Sequence, residues 1–329
     1  MAATAVILAA LILPPALIHG AVHRRVGTLR PASLADQPQN LPHLNTGKFE
    51  TDVNAPALND QNDRSIKLDP APDSRVTEDT NDGSLPRVGE DGMRPWQVYA
   101  RPFNTADKRP RIALVITDLG LSRLITDQAI GQLPPPVTLS FDAQGPVVAA
   151  WGTRARQDGH EILLQLPMEP FDFPQSDPGP NTLLLHLPSS DNLARLNKVM
   201  ARMSGYIGVT TAVDSSFALD QDKFMPVLQV LHDRGLMILD ARVASHSPVT
   251  DMAHGKGIPA AAATERLDTD LAPEAIAAAL DDLEKTARQE GYAIGITTAT
   301  PVMLNQLQIW LKDLPQRGIA LAPLSAMVQ

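Results

Sequence analysis

Short apolar runs recur along the sequence from residue 112 onward, and a polar residue follows almost every run. The runs occupy residues 112–116, 162–164, 236–239 and 293–296. Runs of this length without polar interruption are typical of strands that are buried on both faces of a parallel sheet. Because parallel strands point the same way, their carboxyl ends meet at one rim, where α/β proteins bind their ligands. The pattern therefore predicts a parallel sheet with polar residues gathered at one end.

Segments with helical spacing separate these strands, and residues 137–142 add another predicted strand. Ser122 is a good N-cap, and we expect the helix that follows it to end before Pro134. Further helices are predicted over residues 147–157, 190–203, 226–234 and 274–290, with a last one from residue 301. The alternation of strands and helices indicates the α/β class.

Residues 2–22 form an apolar segment, interrupted by Pro14 and Pro15, that basic residues follow at 23–25. About 20 apolar residues are enough to cross a bilayer, and a segment this close to the start is also typical of a secretory signal. We therefore predict that residues 1–25 are a signal or a membrane anchor. The basic residues after the segment argue for a cytoplasmic orientation of the remaining chain by the positive-inside rule.

Residues 26–107 are rich in Pro, Asp, Asn, Ser and Gly and show no hydrophobic period. Such a composition buries too little apolar surface to offset the entropy of ordering. The sequence thus predicts a flexible linker over residues 26–107, followed by one folded domain over residues 108–329.

Composition narrows the classes of partner. The 329 residues carry a formal net charge of −9, which argues against the basic surface of a nucleic-acid-binding protein. The chain has no cysteine, so disulfides, thiolate zinc sites and cysteine nucleophiles are excluded. Neutral, cationic or metal-bridged partners remain.

Two strand motifs carry a resemblance to a known family. The stretches Arg-Ile-Ala-Leu-Val-Ile-Thr-Asp-Leu-Gly at 111–120 and Gly-His-Glu-Ile-Leu-Leu-Gln-Leu-Pro-Met-Glu-Pro at 159–170 resemble the divergent polysaccharide deacetylases. The resemblance implies the deformed (β/α) barrel of the metal-dependent carbohydrate deacetylases, over about residues 108 to 329. It also implies a protein that is exported, or anchored so that the domain faces the periplasm.

The resemblance implies site residues at two strand ends. The related enzymes have two consecutive aspartates at the first strand, a base and a metal ligand, where this chain has Thr117 and Asp118. Two metal-binding histidines of the related enzymes correspond to Gln165 and Glu169. Asp118 and Glu169 are therefore the candidate metal ligands, although a neutral amide such as Gln165 binds metals weakly. A helix cap is the alternative role for Asp118.

Other family positions also differ in this chain. Ala212 and Thr298 stand where related proteins have histidines, and Asp214 is a new carboxylate in the loop after Ala212. Asp240 and Arg242 match an Asp-Ser-Arg motif of the family, in which an arginine would keep the carboxylate ionised and oriented. Asp118 or Asp240 is the candidate base, and a structural ion pair is the alternative for Asp240 and Arg242.

A Pro-rich insertion follows the strand that carries Gln165. Phe171 and Phe173 in this insertion are candidates for a platform under a sugar ring, and packing onto the core is the alternative. We expect Gln165, Glu169, Asp214 and these two aromatic residues to contact substrate.

Two hypotheses of different classes follow. The first is an envelope carbohydrate N-deacetylase with a remodelled site, whose oxygen donors favour magnesium, calcium or manganese over zinc. The second is a catalytically silent module that binds an envelope glycan, such as peptidoglycan or an oligosaccharide, while attached to the membrane through its N-terminal segment. A protein-interaction role of the acidic linker is a third alternative.

Overall fold

The computed structural model describes residues 66–241 and 247–328. Eleven strands occur in these ranges: β1 Thr77–Thr80, β2 Gly83–Pro86, β3 Arg111–Leu119, β4 Thr138–Asp142, β5 Ile162–Gln165, β6 Gly208–Thr210, β7 Met237–Asp240, β8 Ala260–Ala262, β9 Glu265–Arg266, β10 Tyr292–Thr298 and β11 Ala320–Leu321. The α-helices in the same ranges are α1 Pro95–Val98, α2 Arg123–Gln132, α3 Val148–Gln157, α4 Ser189–Met200, α5 Gln221–Asp233, α6 Val249–Gly255, α7 Pro273–Glu290 and α8 Pro301–Lys312.

The main sheet is parallel and curls into the predicted deformed (β/α) barrel. Its strand order is β8-β7-β6-β5-β4-β3-β10-β9, and β11 pairs with the start of β3. The two end strands, β8 and β9, are separated in the chain by only Ala263 and Thr264. Ala263 donates a backbone hydrogen bond to Asp240 in β7, whereas Thr264 donates one to Ile294 in β10. A single extended segment therefore joins the two edges of the sheet.

Strand residues alternate between two hydrophobic clusters. Ile112, Leu114 and Ile116 of β3 pack with the helices in the larger cluster. Ala113 and Val115 pack in a smaller cluster, which contains no residue of the helices α2 to α8. The smaller cluster is the interior of the barrel. The alternation therefore shows whether a residue in a regular strand faces the interior or the helices.

The helices begin and end close to where the sequence predicts them. Ser122 caps α2 by accepting a bond from the amide of Ile125, and Gly291 ends α7 with a φ of 85°. The prediction that α5 begins at Pro226 is wrong, because Asp220 caps a helix that begins at Gln221 and includes that proline. Proline disturbs a helix least in its first turn, and Pro226 lies in the second.

Residues 66–107 are folded, so the linker predicted over residues 26–107 and the domain start at residue 108 are wrong for this part. Val76, Leu85 and Tyr99 are buried, and β1 and β2 form an antiparallel hairpin. Val76 and Tyr99 belong to the interior cluster together with Ile207 and Met237, at the amino ends of β6 and β7. Isolated apolar residues without a regular spacing do not predict a strand or a helix. In residues 66–107 such apolar residues are buried because they pack against the barrel.

A buried cluster of polar groups ties this segment to the amino end of β5. The backbone amides of Arg101 and Ser325 donate to the Glu161 carboxylate at 2.7 and 3.1 Å. The Ser325 hydroxyl also donates to Glu161, and burial raises the pKa of this carboxyl group in spite of these bonds. The ring nitrogens of His160 face the carbonyl oxygens of Val137 and Ile130. His160 and Glu161 thus stabilise the fold at the end of β5 that is opposite to Gln165.

The predicted signal or anchor at residues 1–25 and the first part of the predicted linker, residues 26–65, lie outside the described residues. Among the helices of the described ranges, none has the length and apolar character that a bilayer span requires.

Candidate functional site

Asp118 is the last residue but one of β3 and has a backbone conformation that is uncommon for a residue with a side chain. Its φ is 58°, and the pairing of β3 with β4 shifts register between Ile116 and Leu119. In a regular strand Asp118 would share the helix-facing side of Ile116. The bulge instead turns its carboxylate toward Gln165 and Thr298, which follow the interior positions of β5 and β10.

Hydrogen bonds surround the Asp118 carboxylate. Gln165 Nε2 donates to Oδ1 at 2.7 Å, and the Asp118 amide donates back to Gln165 Oε1 at 3.1 Å. The hydroxyls of Thr298 and Thr117 lie 3.1 and 3.2 Å from Oδ2. We call Asp118, Asp142, Gln165, Arg266 and Thr298 the mouth site, because they surround the carboxyl-terminal opening of the barrel.

The donor set around Asp118 does not fit the metal that the resemblance implies. Both carboxylate oxygens already accept hydrogen bonds, and the side chains that bond them include the amide of Gln165 and the hydroxyl of Thr298. These groups are weak ligands for transition metals compared with imidazole. Within residues 66–241 and 247–328, no group of three His, Asp or Glu side chains is arranged to hold a metal ion.

Glu169, the second candidate metal ligand, holds a loop. Its carboxylate accepts a bond from the Leu185 amide at 2.7 Å, and its own amide donates to Leu183 at 2.8 Å. Its carbonyl oxygen accepts bonds from the amide and hydroxyl of Ser216. Glu169 therefore joins the insertion after β5 to the loop after β6, and no hydrogen bond connects it with Asp118 in the described residues.

Asp142, at the end of β4, belongs to the mouth site although the sequence analysis did not select it. It stands beside Gln165 in the β4–β5 pairing, and its Oδ1 accepts a bond from the Gln144 amide at 2.7 Å. Burial raises the pKa of Asp142, and the negative charge of Asp118 adds to this effect although the bond from Gln144 opposes it. The signal that identified Asp118, a carboxylate directly after a strand, was also present here.

Arg266 and Asp268 were also missed by the sequence analysis. Arg266 Nε donates to Asp268 Oδ1 at 2.8 Å, and the Thr298 amide donates to Asp268 Oδ2 at 2.9 Å. Arg266 also approaches Asp214 at 3.8 Å, which gives Asp214 a place beside the mouth site. Partial burial lowers the pKa of Arg266. The hydrogen bond to Asp268 and the attraction by Asp214 and Asp118 have the opposite effect and are stronger, so the pKa of Arg266 is raised. Strand β9 has only two residues, so no apolar run marked this position.

Asp240, which we predicted as a catalytic group together with Asp118, is the last residue of β7 and is buried. Met237 and Leu239 pack in the interior cluster and Ile238 packs toward the helices, so the alternation puts Asp240 on the helix side. Asp240 lines a separate cavity of about 310 Å³ beside α6. Arg242, its predicted partner, lies outside the described residues.

The two aromatic candidates differ in exposure. Phe171 is 59% exposed, and its amide donates to the Asp214 carbonyl at 3.2 Å, so it lies beside the mouth site. Phe173 is half-buried in the same insertion. Other exposed apolar side chains stand on the loops and first helical turns that follow β3 and β4, namely Leu121, Leu124 and Val147. An apolar rim therefore borders a polar centre.

Known proteins resemble this chain in sequence and fold. The sequence profile of the family described as divergent polysaccharide deacetylase matches residues 114–328. An uncharacterized protein of Haemophilus influenzae is 24% identical over 206 residues, which are 63% of this chain and 72% of that protein. The uncharacterized protein YibQ of Escherichia coli K12 is also 24% identical over 206 residues, and the match spans 62% of this chain and 63% of YibQ.

A solved structure extends the comparison to the fold. The crystal structure of uncharacterized protein ATU2773 from Agrobacterium tumefaciens C58 superposes with a TM-score of 0.72 and 39% sequence identity. The superposition covers 75% of this chain and 100% of that one. The likeness therefore includes most of the described barrel.

Proposed function

Because this chain belongs to the divergent polysaccharide deacetylase family, we propose that it binds a glycan of the cell envelope at the mouth site without metal-dependent deacetylation. The observation that carries this proposal is the closed hydrogen-bond network of Asp118. The Asp118 carboxylate accepts hydrogen bonds from Gln165, Thr298 and Thr117. In a metal-dependent enzyme of this family, the same carboxylate would bind the metal.

The groups around the network suit recognition of a sugar. Phe171 offers an exposed ring face against which the apolar face of a pyranose can stack. Arg266 has N–H groups beyond the one that bonds Asp268, and Asp214 offers exposed carboxylate oxygens. Donors and acceptors fixed beside an aromatic ring match the hydroxyl-rich edge and apolar face of a sugar.

A titration of the purified protein with N-acetylated oligosaccharides and peptidoglycan fragments tests the proposal. We expect saturable binding with a dissociation constant that a chelator does not alter. Phe171→Ala and Arg266→Gln should each weaken binding. Tyr292→Ala, which removes an exposed aromatic ring at the amino end of the barrel, should leave it unchanged. Absence of binding, or equal affinity of all variants, would exclude the mouth site as a glycan site.

A second candidate, an active N-deacetylase, is favoured by one observation. Asp118 and Asp142 lie at neighbouring strand ends, and the raised pKa of Asp142 suits a proton donor beside an acceptor. Acetate release from N-acetylated glycans, measured with added magnesium, calcium or manganese and lost in Asp118→Ala, would replace the binding proposal with this one.

We also propose that the domain faces the periplasm, on an inner-membrane anchor or as a secreted protein. The apolar segment at residues 2–22 and the family resemblance support this location. Protease digestion of spheroplasts tests it, since a domain that faces the periplasm is degraded without lysis. A domain that is protected until the cells are lysed would contradict the proposal.

A further inference from the structure

A cavity of about 460 Å³ lies on the outer surface of the barrel, far from the mouth site in the fold. Residues 67–71 form one wall, and the last two turns of α3 form the other. Helix α3 runs from the carboxyl rim toward the amino end of β5, so this cavity lies near the amino ends of the strands. Its volume is within the range of small-molecule sites, roughly 300–1,000 Å³.

Arg156 of α3 lines this cavity and is 5% exposed. Its Nη1 donates to the carbonyl oxygens of Tyr99 and Gly205 at 3.0 and 3.1 Å, and its Nη2 donates to that of Asp69 at 2.7 Å. The guanidinium lies over the ring of Tyr99, 4.9 Å from its centroid. Its Nε has no hydrogen-bond partner in the described part of the chain.

All of these acceptors are neutral. Within the described ranges, no carboxylate lies within ion-pair distance of Arg156. Burial lowers the pKa of Arg156, and attraction by Tyr99 and by the more distant carboxylates of Glu161 and Asp69 opposes this effect without cancelling it. Buried charges in proteins are normally paired, because removal from water is costly without an opposite charge. The cavity thus borders a buried cation whose charge no protein carboxylate balances by contact.

The other wall residues agree with an anionic ligand that has an apolar part. Lys67 adds a second cation and Asp69 is the one carboxylate of the wall, whereas Leu68, Pro70 and Ala71 are apolar. We propose that this cavity binds an anion that carries a short hydrocarbon chain. Arg156 and Lys67 attract the anionic group, and Leu68 and Pro70 contact the chain.

Two sources share this chemistry, namely a free fatty acid and the headgroup of an anionic phospholipid. Calorimetric titration with octanoate tests the free fatty acid. Octanol and octylamine, which have the same chain length and a neutral or a cationic head group, are the controls. Co-sedimentation with phosphatidylglycerol vesicles, compared with phosphatidylcholine vesicles, probes the second. Both measurements use the full chain.

Lys67→Glu and Thr153→Trp are the informative variants, since both positions are exposed and line the cavity. Lys312→Glu makes the same charge change at an exposed site on α8. Arg156 itself joins three segments of the fold, so its replacement would confuse binding with folding.

We expect octanoate or the anionic vesicles to bind, and the one that binds identifies the source. Lys67→Glu and Thr153→Trp should each weaken this binding at least about tenfold, whereas Lys312→Glu should not. If octanol binds as tightly as octanoate, if Lys67→Glu binds like the wild type, or if neither ligand binds, the proposal is wrong. Glycan titrations at the mouth site are independent of all these outcomes.

Discussion

Replacement of Glu161 tests how strongly the N-terminal segment is bound to the barrel. In Glu161→Ala the buried amides of Arg101 and Ser325 lose their acceptor. A buried donor without a partner costs about 1–3 kcal/mol, so the free energy of unfolding should fall by roughly 2–6 kcal/mol. Glu161→Gln keeps the size and one carbonyl oxygen, and we expect a loss of about 1–3 kcal/mol.

Urea unfolding, followed by circular dichroism, measures these losses, and Glu290→Ala at an exposed position of α7 is the control. The comparison with Glu161→Gln also has a predicted pH dependence. The raised pKa of Glu161 means that the native state keeps its proton to higher pH than the unfolded chain. Its contribution to stability is therefore fully present below the ordinary pKa of glutamate and is lost as the pH rises through the folded-state pKa.

Wild type should accordingly lose stability relative to Glu161→Gln as the pH increases through this window. A decrease of less than about 0.5 kcal/mol in Glu161→Ala, within the range of ordinary surface changes, would refute the structural role of Glu161. A pH-independent difference between wild type and Glu161→Gln would refute the raised pKa.

Gly208→Ala should be strongly destabilising in thermal denaturation, by about 1–3 kcal/mol or more, because its Cβ would overlap a backbone carbonyl of the neighbouring strand. Gly131→Ala in α2 is the matched control, and it should stabilise the protein by roughly 0.5–1 kcal/mol because it has open space and a helical backbone. Gln165→Glu should destabilise the protein at pH 7 by placing a second negative charge against Asp118, and acidification should reverse the loss. The raised pKa of Asp142 means that its stabilising contribution is present below the ordinary pKa of aspartate and is lost as the pH rises. Asp142→Asn should therefore raise the unfolding midpoint at pH 7 but not at pH 4, and an equal change at both values would contradict this.

Apolar runs were sufficient to predict β3, β4, β5, β7 and β10, since each of these parallel strands is buried on both faces. They were not sufficient for residues 66–107, where Val76 and Tyr99 are buried by contacts with strands more than 100 residues away. The same limit applies to Arg266, whose strand has two residues and whose position depends on the segment that joins the edges of the sheet. Long-range pairing of this kind leaves no local period in a sequence.

The pattern of apolar and polar residues also did not predict which side of the sheet the carboxylates at the strand ends face. Asp118 and Asp240 both follow buried apolar runs, and the sequence gives no reason to separate them. A register shift in β3 turns Asp118 toward the interior, whereas regular alternation leaves Asp240 on the helix side. Aspartate tolerates a positive φ better than most residues do, and Asp118 has one. The short polar side chain at position 118 was therefore the one feature of the sequence that agreed with an irregular backbone there.

The side chains around Asp118 make physical sense only as a set. A carboxylate at the mouth of a barrel needs positive charge or hydrogen-bond donors beside it, and in a metal-dependent site the cation supplies this compensation. Here the amide of Gln165 and the hydroxyls of Thr298 and Thr117 supply it. A histidine at position 165 alone would remove the shortest of these bonds before a second imidazole was present to complete a metal site. Introduction of a metal site by single substitutions should therefore pass through less stable proteins, and for this reason we regard the mouth site as an alternative solution for the half-buried charge of Asp118.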